Sequence, residues 1–109
     1  MTTVKRVPQA NRDLDDCYDY LEQEAGIVVA DRFTGCVEQA FSQLAEYPEM
    51  GEVLPVTSRS TEGMRFLRVK DFKKYLIFYL PLESGRRRNV EIVRVGHSSQ
   101  NWMKILGIK

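Results

Sequence analysis

Residues 9–47 carry two apolar stripes at helical spacing with almost nothing between them, and that arrangement limits the folds open to the chain. Leu14, Cys17, Tyr18 and Leu21 recur at i, i+3, i+4 and i+7, with Arg12, Asp15, Asp16, Asp19 and Glu22 largely between them. This is the pattern of a helix with one face turned to a core. Phe33, Val37, Ala40, Phe41 and Leu44 repeat it, and Pro48 stops it. Between the two stands Gly26, free to take the left-handed conformation that closes a helix. Asp13, Asp15 and Asp16 fall in the early turns of the first helix, where the positive end of its dipole favours carboxylates. So short a connection makes the helices antiparallel neighbours, an αα-hairpin whose apolar stripe needs a second layer to cover it.

The second half of the chain supplies that layer. Met64–Val69, Tyr75–Leu80 and Val90–Val95 are rich in β-branched and aromatic residues and read as strands. The breaks at Lys70–Lys74 and Pro81–Asn89 are short and charged, which fits hairpin loops and hence antiparallel pairing. Val4–Val7 reads as one more short strand, and Pro8, which has no N–H for a ladder, suits a sheet edge. Residues 48–63 mix Pro, Gly, Ser and Thr with little periodicity and read as an irregular connection. Ser98 or Ser99 is placed to cap a last short helix carrying Trp102, Ile105 and Leu106. The expected order is β-α-α-β-β-β-α. The expected class is α+β, an N-terminal helical hairpin packed on a mostly antiparallel three- to four-stranded sheet with a short C-terminal helix. We expect residues 1–109 to form one two-layer domain.

Composition is ordinary for a globular protein, 43% apolar and 28% charged, and no apolar run is long enough to cross a bilayer. Residues 1–16 contain no apolar stretch followed by a small-residue cleavage site, so a cytoplasmic location is expected. In that setting Cys17 and Cys36, both at apolar helical positions, are expected to stay as thiols. The net charge of +1 hides a division: residues 1–50 hold 4 basic and 10 acidic side chains, residues 51–109 hold 12 and 5. The basic half is expected to face an acidic partner, whether phosphate or polypeptide.

Few chemistries survive inspection of the residues. One histidine and two helical cysteines make no zinc site, and phosphate-binding glycine loops and nucleophile elbows are absent, so neither metal nor cofactor is expected. Asp15 and Asp16 are adjacent on a helix, diverge, and read as solvated. Metal-free RNA cleavage would need a base, an acid and cations around one phosphate, for which Arg65, Arg68, Tyr75, Tyr79, Arg94 and His97 are the candidates, Arg65, Arg94 and His97 first among them. A separation of three puts Arg94 and His97 on opposite faces of a regular strand, so they converge only across a bulge or at a strand end. Arg94 inside an apolar strand requires an anion, from a carboxylate near Glu91 or from a partner. Tyr75, Phe78 and Tyr79 read as core or rim aromatics rather than base-stacking platforms. Arg86, Arg87 and Arg88 fall at a hairpin tip, open to solvent or to a phosphate, and Lys70, Lys73 and Lys74 share that ambiguity.

The order of these elements, together with several local phrases, resembles the ParE branch of the RelE/ParE toxins over nearly the whole chain. The phrases are Arg12-Asp13-Leu14-Asp15-Asp16, Tyr18-Asp19-Tyr20-Leu21, Ala30-Asp31-Arg32-Phe33, and Leu44 to Gly51. The sheet adds Met64-Arg65, Tyr75 to Tyr79, and Val90 to His97. One departure is visible: the family often continues H-x-x-R-D, whereas Ser98, Ser99, Gln100 and Asn101 follow His97 here. The resemblance implies a type II toxin that arrests growth by poisoning DNA gyrase and is neutralised by a ParD-like antitoxin. It leaves a ribosome-dependent mRNA endonuclease of RelE type, or a non-toxic antitoxin-binding relative, as alternatives. Set beside the residues, it implies an antitoxin surface of Arg65, Phe66, Arg68, Tyr75, Tyr79 and Arg94, no membrane partner, and no direct binding of nucleic acid.

Overall fold

The computed structural model describes residues 2–55, 58–84 and 87–108. A short strand β1 (Thr3–Arg6) leads into helices α1 (Pro8–Ala25) and α2 (Ile27–Glu46). Then follow a two-residue strand β2 (Glu52–Val53), a 3-10 turn (Arg59–Thr61), strands β3 (Arg65–Val69), β4 (Phe72–Ser84) and β5 (Arg87–His97), and the one-turn helix α3 (Trp102–Ile105). The strand order is β1-β5-β4-β3-β2, so five strands form the sheet where three to four were expected. The added strand is Glu52–Val53, which pairs with Phe66 and Arg65 inside the segment that lacks any periodic pattern, while β1 joins β5 in parallel, Val4 opposite Val90 and Arg6 opposite Ile92. The sheet is therefore mixed, antiparallel except at β1, which holds the edge that Pro8 implied.

α1 starts at Pro8, whose fixed φ and missing N–H suit a first helical position. That start places Asp13 beyond the first turn, which holds no acidic residue, so the dipole contributes nothing to its placement. Gly26 both ends α1 and precedes α2 at φ 91°, ψ 167°, a positive-φ backbone that side chains with a Cβ rarely adopt. Its N–H donates to the Glu22 carbonyl. The joined helices lay Ala10, Cys17, Phe33, Val37, Ala40, Phe41 and Leu44 on Val69, Tyr75, Ile77, Tyr79, Val90, Ile92 and Val95 of the sheet. Phe33 stands at its centre, edge-on to Phe72 at 5.2 Å and to Tyr75 at 5.0 Å.

The opposite face of the sheet is only partly roofed. Leu54, Met64, Leu76 and Phe78 are buried there, and Phe66, Leu80, Val93, Trp102, Leu106 and Ile108 pack against them half-exposed. α3 begins at Trp102 rather than at the serines: Asn101 is its cap, its side chain accepting from Lys104 N–H at 3.2 Å. Trp102 lies 4.5 Å from the Phe78 ring and donates Nε1–H to the His97 carbonyl at 2.9 Å. It can do so because residue 96 is glycine; a Cβ there would sit 2.8 Å from the indole. Among the described residues no helix is long and apolar enough to cross a membrane, and no group of His, Cys, Asp and Glu is arranged to hold a metal ion.

Candidate functional site

Arg94 finds its anion on α1. Its Nε donates to Asp13 Oδ2 at 2.8 Å and its Nη2 to Asp13 Oδ1 at 3.1 Å, a two-pronged contact that matches the planar guanidinium to the carboxylate. Asp13 Oδ2 also accepts from Val95 N–H at 3.0 Å, and Gln9 Nε2 donates to Oδ1 at 3.0 Å. The reason lies in the sheet. β1 stops pairing at Ile92, the Val7 N–H still reaches the Ile92 carbonyl, and past that point β5 has no strand on that side. The buried Asp13 carboxylate takes the place of the missing strand for Val95. A bulge contributes: Tyr79 faces Ile92 but Phe78 faces Arg94, so Val93 and Arg94 together oppose one residue and the side chain of Arg94 is re-aimed. The bulge lies before Arg94, not between Arg94 and His97, so it does not bring those two together.

Arg65 is engaged as well, Nη1 donating to the carbonyls of Gly51 at 2.9 Å and Glu49 at 3.2 Å. It braces the loop after α2 against β3. Beneath it the Tyr79 hydroxyl accepts from Gly51 N–H at 2.8 Å, and Tyr79 is fully buried. Burial pushes the Tyr79 phenol above its ordinary range, against the opposing pull of the Gly51 N–H and the Arg65 charge. Tyr79 thus offers a partner no surface, and it shapes the one above it. Gly51 is required by proximity, since a Cβ would meet the Tyr79 hydroxyl at 2.5 Å and the Phe66 carbonyl at 2.6 Å.

His97 lies at the far end of the sheet, paired with Tyr75, four residues along β4 from the Tyr79 that pairs with Arg65. That is roughly 13 Å of extended chain. Its Nδ1 accepts from Ser99 N–H at 3.0 Å and meets the Ser99 hydroxyl at 2.7 Å, an arrangement that leaves the neutral ring's proton on Nε2. Tyr75 stands edge-on to the imidazole at 5.3 Å. Among the described residues, no hydrogen bond or ion pair joins any two of Arg65, Arg94 and His97.

The six residues expected to form one partner surface divide between two faces. Tyr75 and Tyr79 point to the helices, with Arg65 over the loop on that side, while Phe66 and Arg68 face outward, opposite Phe78 and Leu76. Arg68 is exposed and donates to the Lys73 carbonyl at 2.9 Å. Of the tip arginines, Arg86 lies outside the described residues, and Arg88 pairs with Glu83 at 3.0 Å in water. Tyr75 and Phe78 are buried, as their strand pattern indicated, and Cys17 and Cys36 are free thiols. Asp13 is the residue that sequence reasoning undervalued. The signal was present, because an aspartate between Ala10 and Cys17 sits on the apolar stripe of α1.

A family model described as the ParE toxin of the type II toxin-antitoxin system, parDE, matches residues 4–102. No curated protein matches the sequence. Among solved structures, a chain of the chromosomal ParDE TA system from P. aeruginosa superposes with a TM-score of 0.69 at 18% identity, covering 89% of this chain and 96% of that one. The YoeB/ParE toxin from Agrobacterium tumefaciens superposes with a TM-score of 0.58 at 12% identity, covering 87% and 97%. At these identities the likeness to the two structures is one of fold.

Proposed function

This chain belongs to the ParE toxin family of type II toxin-antitoxin systems, and we propose that it arrests growth by binding DNA gyrase and that a ParD-like antitoxin neutralises it. The observation that carries the mechanistic half of this reading is the commitment of the basic residues. Arg94 is bound to Asp13, Arg65 to two backbone carbonyls, and His97 stands at the other end of the sheet. Cleavage of RNA needs such groups free and gathered on one phosphate; a protein that works by occupying its target does not.

For the antitoxin, the outward face of the sheet fits an acidic and partly apolar segment that orders as it binds. Phe66, Leu80 and Val93 are half-exposed there, Leu82 is exposed, and Arg68 stands beside them with Lys70 and Lys73 exposed at the same end. Arg65, Tyr75, Tyr79 and Arg94 lie on the helix side and act by fixing the strands that present this face. Purified chain added to gyrase is expected to stop supercoiling and to accumulate cleaved DNA, with activity restored by the antitoxin. Supercoiling at the normal rate under saturating chain would refute the gyrase assignment. An Arg68→Glu variant that holds the antitoxin as tightly as the parent in calorimetry would refute the docking face.

A further inference from the structure

On the helix side, where α1 passes the ends of β4 and β5, a pocket of about 330 Å³ opens to solvent. Three aromatic residues, Tyr20, Tyr75 and His97, line it together with the buried Cys17 and with Asp16, Ser99 and Gln100. The size is that of a site for a side chain or small ligand. Two of its residues are open to a partner: Asp16 is exposed with no ion pair among the described residues, and Tyr20 is more than half exposed.

The chemistry of the walls selects the occupant. Ring faces attract a cation, a planar guanidinium most of all, and a carboxylate at the mouth completes the recognition with two parallel hydrogen bonds. The surrounding field has the same sign, since α1 bears one basic residue against six acidic ones and, among the described residues, only Asp13 has a cationic partner. Cys17 registers this field: burial first, then Asp13 and Asp16, push its thiol up to about 12. A nucleobase would also fit between the rings, but its phosphate would lie against the carboxylates of α1.

We infer that this pocket receives an arginine side chain presented by a protein partner. The partner is the toxin's target rather than its antitoxin: the antitoxin segment proposed above is acidic and lies on the other face of the sheet. That assignment of source rests on the proposed function, whereas the chemistry of the pocket does not.

Titration with N-acetyl-arginine amide, followed by NMR of the Tyr20, Tyr75 and His97 ring signals, is expected to give saturable shifts at millimolar concentration. N-acetyl-citrulline amide has the same shape without the charge and should bind about tenfold more weakly, as should the arginine probe with the Asp16→Asn variant. An equal response to citrulline, no response to either probe, or tighter binding of adenosine monophosphate at these rings would overturn the pocket's chemistry. With the antitoxin bound, the arginine response should persist; its disappearance would overturn the assignment to the target. Gyrase left unaffected would remove the proposed function without touching the titration, so the two failures are separable.

Discussion

Asp13→Ala removes four hydrogen bonds at once and tests whether the open edge of β5 is held by a side chain. Asp13 is 7% exposed and accepts from Gln9, from Arg94 twice and from Val95 N–H. After truncation Val95 N–H has no acceptor in the interior, which costs about 1–3 kcal/mol. The Arg94 side chain is already 25% exposed and can turn toward water, so its loss of a partner falls below the roughly 3–5 kcal/mol of a fully enclosed pair. Together these give about 3 kcal/mol, equivalent to a fall in Tm of roughly 13 °C for a chain of this length. The exposed Arg88–Glu83 pair provides the control: Glu83→Ala removes a solvent-screened contact and should cost under about 1 kcal/mol. Urea unfolding monitored by circular dichroism measures both variants, and Asp13→Asn, which keeps an acceptor for Val95, should recover part of the loss. A midpoint for Asp13→Ala equal to that of Glu83→Ala would show that Asp13 does not hold β5.

Three further outcomes are expected. Tyr79→Phe leaves the Gly51 N–H without its acceptor and should cost about 1–3 kcal/mol in the same unfolding experiment, with Gly51→Ala at least as damaging because the Phe66 carbonyl is backbone and cannot give way. Gly96→Ala should lift the only tryptophan off the sheet, and a red-shifted Trp102 emission with helices intact is the readout; unchanged emission would mean that α3 docks without needing that space. Cys17, its thiol raised from 9.0 to about 12, stays protonated in the folded chain where the unfolded chain ionises, so stability is full below pH 9 and falls as pH climbs from 9 toward 12. Cys17→Ala should lessen the fall between pH 9 and 10, and at pH 8 a disulfide reagent should modify the half-exposed Cys36 before Cys17.

The helical layer was legible because it obeys a period: a stripe of Phe33, Val37, Ala40, Phe41 and Leu44 has one geometry that buries it, and those five residues are buried. The three longer strands were legible for the same reason, but their lengths were not. β4 and β5 run on through Pro81 to Ser84 and from Arg87, where charge and proline imitate a loop although both segments continue the ladder. β2 could not be seen, since two residues carry no alternation and pair only because Arg65 and Tyr79 draw the Gly51 loop onto β3. Arg94 announced its need for an anion, yet its partner lies 81 residues away, a separation that only the bulge and the end of β1 explain. The residues expected to form one partner surface, Arg65, Phe66, Arg68, Tyr75, Tyr79 and Arg94, are spread over three strands. Alternation splits such a list between faces, and Tyr79, the most buried of them, supports the surface instead of forming it.

The proposed gyrase reading requires this fold to act by occupying a target rather than by cutting RNA. Purified chain in a translating extract, with the messenger mapped by primer extension while gyrase is assayed in parallel, separates the two. Full-length messenger beside inhibited gyrase is the expected result. Messenger cut at discrete positions on the ribosome, with supercoiling untouched, would rule out action by occupancy.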